Sequence, residues 1–315
     1  MEITTEVKDR VIECLYNERE RRGITWTKFA SIVSERNAVR FNKSAFSQIN
    51  KPKRLRNYRV VKDSTWLTLA RYYKILEARS WNTAKTKAYI TVQAHLEKCR
   101  EYGIWQMLCD RAGIGKSYAA REFAQKNKNV FYIDCSEYNT KTDFIVFLAQ
   151  QFGLDATSRN ISRLWRETIN ELLVLDKPLL ILDEFGDCSD KVITLMKSLY
   201  NRANMGDYMA LGCYFIGADN LEQKLIDGRM RKKPSYAEFW SRFNNRVTRL
   251  NYGATVDDFM KELKNSTEAI VDANLTEELK DKRNTIIEKS LVTGGVRSIQ
   301  NEIAIMKMLK NEQAD

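Results

Sequence analysis

The run Asp110-Arg-Ala-Gly-Ile-Gly-Lys-Ser117 contains the residue types that hold phosphate groups. It follows an apolar run over residues 104–109, which predicts a buried strand, and leads into a helical pattern over residues 118–124. In a strand, glycine-rich turn and helix, backbone N–H groups and the helix N-terminus surround phosphates. The lysine then reaches the β- and γ-phosphates, and the serine hydroxyl coordinates Mg²⁺. The run therefore predicts a site for ATP and Mg²⁺. The residues that we expect to contact the nucleotide are Gly113, Ile114, Gly115, Lys116, Ser117 and Tyr118.

This turn departs from the full phosphate-loop pattern at its first position. The pattern Gly-x-x-x-x-Gly-Lys-Ser/Thr begins with glycine, whereas this chain has Asp110 there. Aspartate adopts unusual turn dihedrals more readily than most residues, but less freely than glycine. From the sequence alone, the effect of Asp110 on the affinity for ATP stays open.

A second acidic motif ends an apolar run further along the chain. Leu179-Leu-Ile-Leu precedes Asp183 and Glu184, which predicts a central parallel strand with carboxylates at its C-terminal end. Ligand sites of parallel α/β sheets lie at that end. We expect Asp183 to hold Mg²⁺ and Glu184 to polarise the water that attacks the γ-phosphate. A buried strand that ends in a solvated acidic turn is the competing interpretation, but the phosphate-binding turn upstream favours hydrolysis.

Length and charge limit the classes of protein that fit. The 315 residues are enough for two or three domains, and the net charge of +11 favours an acidic polymer as partner. The six cysteines are scattered, so reduced core thiols fit better than disulfides or zinc ligands. No apolar run has the length of a membrane span, and we expect a cytoplasmic protein without a membrane partner. Because His95 is the only histidine, catalysis by a histidine base is not expected.

Positive charge is concentrated near the N-terminus. Residues 36–62 contain nine basic side chains and no acidic one, among a series of short helical patterns. The pattern over residues 43–50 resembles the recognition helix of a repressor-type helix-turn-helix, with Phe46 and Ile49 facing the core. A small helical bundle whose basic face contacts protein is the alternative. The side chains that we expect to contact duplex DNA are Ser44, Ser47, Gln48, Lys51, Lys53, Arg54 and Arg56.

Strand-like and helix-like patterns alternate around the glycine-rich motif and the acidic motif. Residues 130–134 and 210–217 predict further strands, and the segments between strands have helical periodicity. This alternation predicts an α/β fold with a P-loop parallel sheet covered by helices on both faces. We expect an all-α helix-turn-helix domain over residues 1–78, a nucleotide-binding core over residues 79–252 and a helical lid over residues 253–315.

Three further positions resemble nucleotide-sensing elements of AAA+ ATPases. Asn220 follows a predicted strand, as a sensor residue beside the γ-phosphate does in that family. Ser241-Arg242-Phe243 is similar to the subunit-interface motif in which an arginine completes the neighbour's site, with Arg246 as the second candidate. Arg297, which follows Gly294-Gly295, resembles the second sensor on the lid. A plain turn at Asn220 and ordinary surface arginines are the competing interpretations.

The order of these motifs, together with the helix-turn-helix pattern, resembles the Mu B and TnsC family of target-selecting ATPases of DNA transposition. The resemblance extends over almost the whole chain and is carried by the nucleotide motifs. It implies ATP-dependent assembly of a homo-oligomer, a helical filament or ring, on double-stranded DNA. It also implies recruitment of a transposase, with hydrolysis dissolving the assembly.

Two other functions fit parts of the sequence. A helicase-loading ATPase similar to IstB would act on single strands and a helicase ring in DNA replication, but the acid-free basic stretch favours duplex DNA. A DNA-binding regulator switched by ATP without turnover has no need of a water-activating acid. Glu184 therefore favours an enzyme that hydrolyses ATP.

Overall fold

The computed structural model describes residues 3–37, 39–73, 75, 81–156, 160–204, 211–250, 252 and 255–312. Within these ranges the strands are β1 (Trp105–Cys109), β2 (Val130–Asp134), β3 (Leu179–Asp183) and β4 (Gly212–Gly217). The helices are α1 (Thr5–Arg22), α2 (Trp26–Asn37), α3 (Lys43–Ile49), α4 (Asp63–Tyr72), α5 (Lys87–Tyr102), α6 (Lys116–Lys126), α7 (Lys141–Gln150), α8 (Ile161–Leu173), α9 (Asp190–Ala203), α10 (Asp219–Met230), α11 (Tyr236–Ser241), α12 (Val256–Asn274), α13 (Arg283–Thr293) and α14 (Ile299–Glu312).

One parallel sheet contains all four strands of the described residues, in the order β1-β4-β3-β2. A short segment around Thr248 extends the sheet beyond β1. Thr248 N donates to Met107 O at 2.7 Å, and Cys109 N donates to Thr248 O at 3.1 Å. Because the strands are parallel, their C-terminal ends share one edge, and both predicted nucleotide motifs follow strands at that edge.

Helices cover both faces of this sheet because successive strand residues point to opposite sides. In β3, Leu180 and Leu182 join a core with helices α7 to α11, whereas Leu179 and Ile181 join a second core with α5 and α6. All five residues of β3 are buried, as expected for a central parallel strand. The predicted fold class, a P-loop parallel sheet with helices on both faces, is confirmed.

Helices α1 to α4 pack around a separate N-terminal core. The side chain of Thr4 caps the first turn of α1, and Gly23 ends the helix in the left-handed conformation. Inside this core the buried carboxylate of Glu18 forms ion pairs with Arg22 at 2.8 Å and Arg36 at 2.7 Å. A buried carboxylate needs such partners, and the pair with Arg36 connects α1 with α2.

Two arginines of α1 attach the N-terminal helices to the sheet region. Arg21 Nη1 donates to Ala124 O at 2.9 Å, in the last turn of α6. Arg22 Nη1 donates to Gln151 O at 3.2 Å, directly after α7. Cations are favourable at helix C-termini, where backbone carbonyls lack helical partners. The docking therefore uses the C-terminal ends of two helices that cover the sheet.

Helices α12 to α14 form a third core near the C-terminus, which includes Val271, Ile286 and Ile299. Trp81, in the segment before α5, packs against this core. A capping box between Thr255 and Asp258 begins α12. The tail is helical, as predicted, and no helix in the described ranges is both long and apolar enough to cross a bilayer.

Two sequence-based expectations meet the limits of the described residues or differ from the structure. The predicted domain limits lie between residues 78 and 79 and between residues 252 and 253. Of these four residues, 78, 79 and 253 lie outside the described residues. Asp219 and Asn220 form the first turn of α10 and not an isolated turn, and the role of Asn220 as a sensor stays a prediction. Acidic residues are favourable in a first helical turn, which explains how an Ala-Asp-Asn sequence begins a helix.

Candidate functional site

The loop between β1 and α6 has the backbone of a phosphate cradle. Gly113 has a φ of 80° and Gly115 a φ of 94°, in the left-handed region where glycine is favoured. Gly115 precedes α6, and no side chain caps the first turn of that helix. The N–H groups of an uncapped first turn are donors for an anion, and the helix dipole also favours negative charge there.

Lys116 is buried inside this loop, with 7% of its surface exposed. Its Nζ donates to the backbone oxygens of Asp110 and Arg111, both at 2.7 Å. Burial lowers the pKa of Lys116 below its ordinary value, while the carboxylates of Asp110 and Glu184 act in the opposite direction. An anion in the loop offers this ammonium group a charged partner, which forms a stronger hydrogen bond than a neutral carbonyl.

Asp110, at the position of the first consensus glycine, is a buried acceptor. It is 6% exposed and is not among the residues with positive φ. Its Oδ1 accepts from Arg111 N at 2.7 Å, and its Oδ2 accepts from the buried Leu250 N at 2.7 Å. The position therefore does not use the freedom of glycine. Instead, its carboxylate joins the beginning of the loop to the segment that extends the sheet beyond β1.

Asp183 and Glu184 follow β3 at the same edge of the sheet. Asp183 is 1% exposed, and its Oδ1 accepts from Glu184 N at 3.1 Å. Glu184 has a left-handed φ of 50°, a strained conformation for a non-glycine residue that is typical of functional sites. Burial, followed by the neighbouring Asp183 carboxylate, raises the pKa of Glu184 above its ordinary value. The pair thus combines an acceptor inside the protein with a half-buried carboxylate of raised pKa.

Tyr132 and Arg121 also belong to this site, and sequence reasoning missed both. The Tyr132 hydroxyl donates a short hydrogen bond to Asp183 Oδ2, and Arg121 Nε donates to the Tyr132 oxygen at 3.0 Å. Tyr132 pairs with Ile181 across the sheet, so it shares a face with Asp183, two residues further along β3. The signal that identifies Tyr132 is the register of β2 against β3, which one sequence does not specify.

Asn220 lies beside the acidic turn. A Cβ atom built on Gly186 would be 2.9 Å from Asn220 Nδ2, so the amide of Asn220 packs against the backbone two residues after Glu184. Asn220 is exposed, in the first turn of α10. The structure therefore brings the predicted sensor residue to the turn that contains the predicted catalytic acid.

The C-terminal helical region approaches the loop from another side. A Cβ built on Gly113 would be 3.6 Å from Gly294 O, which is in the Gly-Gly segment before Arg297. Arg297 itself is exposed. A small cavity lies between the loop and these helices. Its lining residues are Ile114, Tyr252, Phe259, Leu263, Ser266 and Val296.

Two predicted contact residues, Ser117 and Tyr118, lie in the first turn of α6. Ser117 is partly exposed, directly after the buried Lys116. Tyr118 is 41% exposed, and its hydroxyl lies 2.7 Å from the Thr83 hydroxyl. Ser117 thus lies next to the loop, whereas Tyr118 contacts the segment that precedes α5.

Arg242 packs on its own chain. Its guanidinium lies 4.6 Å from the centroid of the Tyr200 ring, and its Nη2 donates to Asn201 Oδ1 at 2.9 Å. Its Nε is buried and has no hydrogen-bond partner among the described residues. Arg246, the second candidate, is exposed. The structure of one chain therefore holds Arg242 on α9 and leaves Arg246 in contact with solvent.

The predicted recognition helix has the expected orientation. In α3, Phe46 and Ile49 are buried, while Ser44 and Ser47 are exposed and Gln48 is partly exposed. Asn42 caps the helix through a 2.8 Å bond to Ala45 N. Of the basic residues predicted to contact DNA, Lys51, Lys53 and Arg54 are exposed, and Arg56 is partly exposed.

Acidic residues of α1 neutralise part of the acid-free basic stretch. Arg56 forms a short ion pair with Asp9, and Lys53 Nζ lies 3.7 Å from the same carboxylate. Burial alone raises the pKa of Asp9, but the hydrogen bond from Tyr58 and the Arg56 guanidinium lower it below its ordinary value. The Arg36 side chain is buried against Glu18, which, like Asp9, is in α1. The positive charge is therefore less continuous in the structure than in the sequence, and Arg56 already has a charged partner.

The sequence of the sheet region matches a known family. Residues 107–225, from β1 to α10, match the family model described as AAA domain. The chain contains an AAA domain. The matched range includes both the P-loop and the acidic turn, which lie at the same edge of the sheet.

Several solved structures match the chain at low sequence identity. Cdc6p from Pyrobaculum aerophilum is 16% identical with a TM-score of 0.49, covering 66% of this chain and 56% of that chain. The ORC2 protein of Aeropyrum pernix is 16% identical with a TM-score of 0.48, covering 70% and 60%. The replication initiator DnaA is 15% identical with a TM-score of 0.44, covering 73% and 65%. The chain thus spans less than two thirds of each of these proteins. No curated protein sequence matches the chain.

The residues at the AAA-domain sheet edge fit ATP and Mg²⁺. The uncapped first turn of α6 and the buried ammonium of Lys116 are suited to the phosphates. Mg²⁺ prefers oxygen ligands, which the Ser117 hydroxyl and the buried Asp183 carboxylate supply. The cavity beside Ile114 is lined mostly by apolar side chains.

Proposed function

We propose that the chain is an ATPase that binds double-stranded DNA under the control of ATP. The observation that carries the proposal is the common location of Lys116 and the Asp183–Glu184 pair at one edge of the parallel sheet. Burial raises the pKa of Glu184, and the positive charge of Lys116 acts in the opposite direction, as a nearby cation does. A phosphate-binding cation and a strained, half-buried carboxylate at one site support hydrolysis in addition to binding.

In the proposed reaction, Lys116 binds oxygens of the β- and γ-phosphates, and the N–H groups of the glycine loop bind the remaining phosphate oxygens. Ser117 and Asp183 would hold Mg²⁺, which would supply positive charge to offset the charge of the phosphates. Glu184 accepts the proton of a water molecule while the water oxygen attacks the γ-phosphorus and ADP leaves. The pKa of Glu184 is raised towards neutral pH, and a pKa near the working pH suits a general base. Asn220, against Gly186, is positioned to orient this water.

The second part of the proposal is that nucleotide binding is shared between copies of the chain. Arg242, or Arg246 in its place, would stabilise the developing charge in the site of a neighbouring subunit. Arg297 would contact the γ-phosphate from the C-terminal helices, whose Gly294 lies beside the loop. We retain the division into a DNA-binding domain (1–78), an ATPase core (79–252) and a lid (253–315) as part of this proposal. Binding of ATP and assembly into a filament or ring are then coupled.

For DNA contact we propose the exposed surface around α3. Ser44, Ser47 and Gln48 are on its outer side, and the side chains of Lys51 and Arg54 extend the surface with positive charge. Contacts to phosphates position a protein on the duplex and make the affinity depend on salt. Arg56 contributes less charge than expected because of Asp9, and Lys53 shares the same acid at longer range.

The biological role that we propose is delivery of target DNA to a transposase, with hydrolysis releasing the assembly. This role rests on the resemblance of the motif order to the Mu B and TnsC family. A helicase-loading ATPase in DNA replication is the second candidate, and it differs in the nucleic acid that it binds. A preference for duplex over single-stranded DNA favours the first role.

The proposal is tested by fluorescence anisotropy with labelled duplex and single strands, in ATP, ADP or no nucleotide. We expect ATP to strengthen binding to the duplex by at least about fivefold, the lower end of typical coupling between sites. Arg54→Ala should weaken duplex binding and reduce the slope of log affinity against log salt by about 1. Lys98→Ala, an exposed lysine of α5, is the matched control and should leave the slope unchanged. Affinity for the duplex that is equal in all nucleotide conditions contradicts the proposal.

A further inference from the structure

Asp183 has both of its carboxylate oxygens in hydrogen bonds within the protein. Oδ1 accepts from Glu184 N at 3.1 Å, and Oδ2 accepts a short hydrogen bond from the Tyr132 hydroxyl. Each carboxylate oxygen has two lone-pair sites, so each can still bind a cation. The bond to the main chain comes from the turn that follows β3. The bond to Tyr132 comes from a different strand, and it is the contact that fixes the plane of the carboxylate relative to the sheet.

Tyr132 is held in place by Arg121. Arg121 Nε donates to the phenolic oxygen at 3.0 Å, and the guanidinium lies 5.4 Å from the centroid of the Tyr132 ring. The phenol has one proton, and because Arg121 occupies its acceptor side, the proton is directed to Asp183. Arg121, Tyr132 and Asp183 therefore form a chain of hydrogen bonds with one direction of donation.

Ser117 is on the same face of α6 as Arg121, because residues four apart in a helix are neighbours. Arg121 therefore lies one helical turn after Ser117, and its hydrogen bond to Tyr132 leads to Asp183, the other proposed Mg²⁺ ligand. Groups that orient the ligands of a metal through hydrogen bonds raise its affinity, and their removal typically weakens metal binding about 10- to 100-fold.

We infer that Tyr132, supported by Arg121, is a positioning residue that orients Asp183 for Mg²⁺. It does not touch the nucleotide or the reacting water, so its effect passes through the metal. The inference rests on the proposed ATP site and adds residues to it that no sequence motif marks. Loss of the Tyr132 hydroxyl removes one of the two hydrogen bonds that orient the Asp183 carboxylate and weakens the metal complex without changing the phosphate cradle.

The test measures metal binding directly, by electron paramagnetic resonance of Mn²⁺ with the full chain and a non-hydrolysable ATP analogue. We expect Tyr132→Phe to bind Mn²⁺ about 10- to 100-fold more weakly. The affinity for the analogue in EDTA should stay unchanged, and the Mg²⁺ concentration for half-maximal hydrolysis should rise by a similar factor. Arg121→Met, at an exposed position, should shift Mn²⁺ affinity in the same direction by a smaller factor and serves if Tyr132→Phe does not fold.

Tyr89→Phe is the matched control. It also removes a hydrogen bond from a tyrosine to a carboxylate, that of Glu122, which is in α6 next to Arg121. It should leave Mn²⁺ affinity at the wild-type value. Wild-type Mn²⁺ affinity in both Tyr132→Phe and Arg121→Met, in a protein whose wild type hydrolyses ATP, overturns the inference. Absence of ATP binding in the wild type would instead overturn the proposed function, so the two failures are distinguishable.

Discussion

Replacing Asp110 by glycine restores the consensus phosphate loop, and we predict that this substitution destabilises the folded protein. Asp110 does not have a positive φ, so glycine relieves no strain. The substitution removes the acceptor of Leu250 N, a buried donor held at 2.7 Å, and the acceptor of Arg111 N. An unsatisfied buried donor costs about 1–3 kcal/mol, and the added backbone freedom of glycine about 0.4–1 kcal/mol. The free energy of unfolding of the AAA domain should therefore fall by roughly 1.4–4 kcal/mol.

Hydrogen exchange measured by mass spectrometry gives a local assay of this prediction. In the wild type, the amide of Leu250 is buried and bonded, and we expect slow exchange. In Asp110→Gly, exchange in the peptide that contains Leu250 should accelerate at least about tenfold, since 1.4 kcal/mol corresponds to a factor of ten. The affinity for ATP should also fall, because the same segment continues to Tyr252, which lines the cavity beside Ile114.

Asp110→Asn is the matched control for this prediction. Asparagine keeps one acceptor oxygen, so it retains one of the two backbone bonds and should have an intermediate exchange rate. The reasoning is refuted if Asp110→Gly is as protected as the wild type at Leu250 and binds ATP more tightly. That result would mean that aspartate is a defect of the loop and that its hydrogen bonds contribute nothing.

Four further substitutions test other parts of the site and the N-terminal core. Lys116→Ala should abolish ATP-dependent DNA binding in anisotropy measurements, and unchanged binding would show that the helix-turn-helix acts alone. Glu184→Gln should bind ATP and remain on DNA, and rapid dissociation in a stopped-flow experiment would argue against its role as the base. Arg242→Ala should keep its affinity for ATP and lose phosphate release, and persistent turnover would direct the search to Arg246. Glu18→Gln should lower the free energy of urea unfolding at pH 7 by about 3–5 kcal/mol, because it leaves the buried Arg36 guanidinium without its charged partner. Burial alone would raise the pKa of Glu18, but the charges of Arg36 and Arg22 outweigh burial and hold this pKa below its ordinary value of 4.5. Its stabilisation is therefore present above that value and lost as pH falls, so the difference should shrink below about pH 4, and a constant difference would contradict the ion-pair account.

Much of the nucleotide site could be predicted because its motifs are local. The glycine loop and the acidic turn are each contained in a few residues, and the alternation of strand and helix patterns determines the sheet edge that they share. The bounds of β2 and β3 agree with the predicted apolar runs, and β3 is buried at every position, as expected for a central parallel strand.

What could not be predicted depends on contacts between distant parts of the chain. Tyr132 reaches Asp183 only through the pairing of β2 with β3, and Leu250 reaches Asp110 across 140 residues. The basic stretch from residue 36 to 62 contains no acid of its own, but folding places Asp9 against Arg56. Charge counted along a sequence is therefore an upper limit to the charge that a folded surface presents.

The most direct measurement is electron microscopy of the purified protein with duplex DNA in ATP, with parallel samples in ADP and with single strands. The account predicts filaments or rings on the duplex that require ATP and that do not form with Lys116→Ala. Assemblies confined to single strands, or formed equally with ADP, would contradict the claim that this AAA domain couples ATP to assembly on double-stranded DNA.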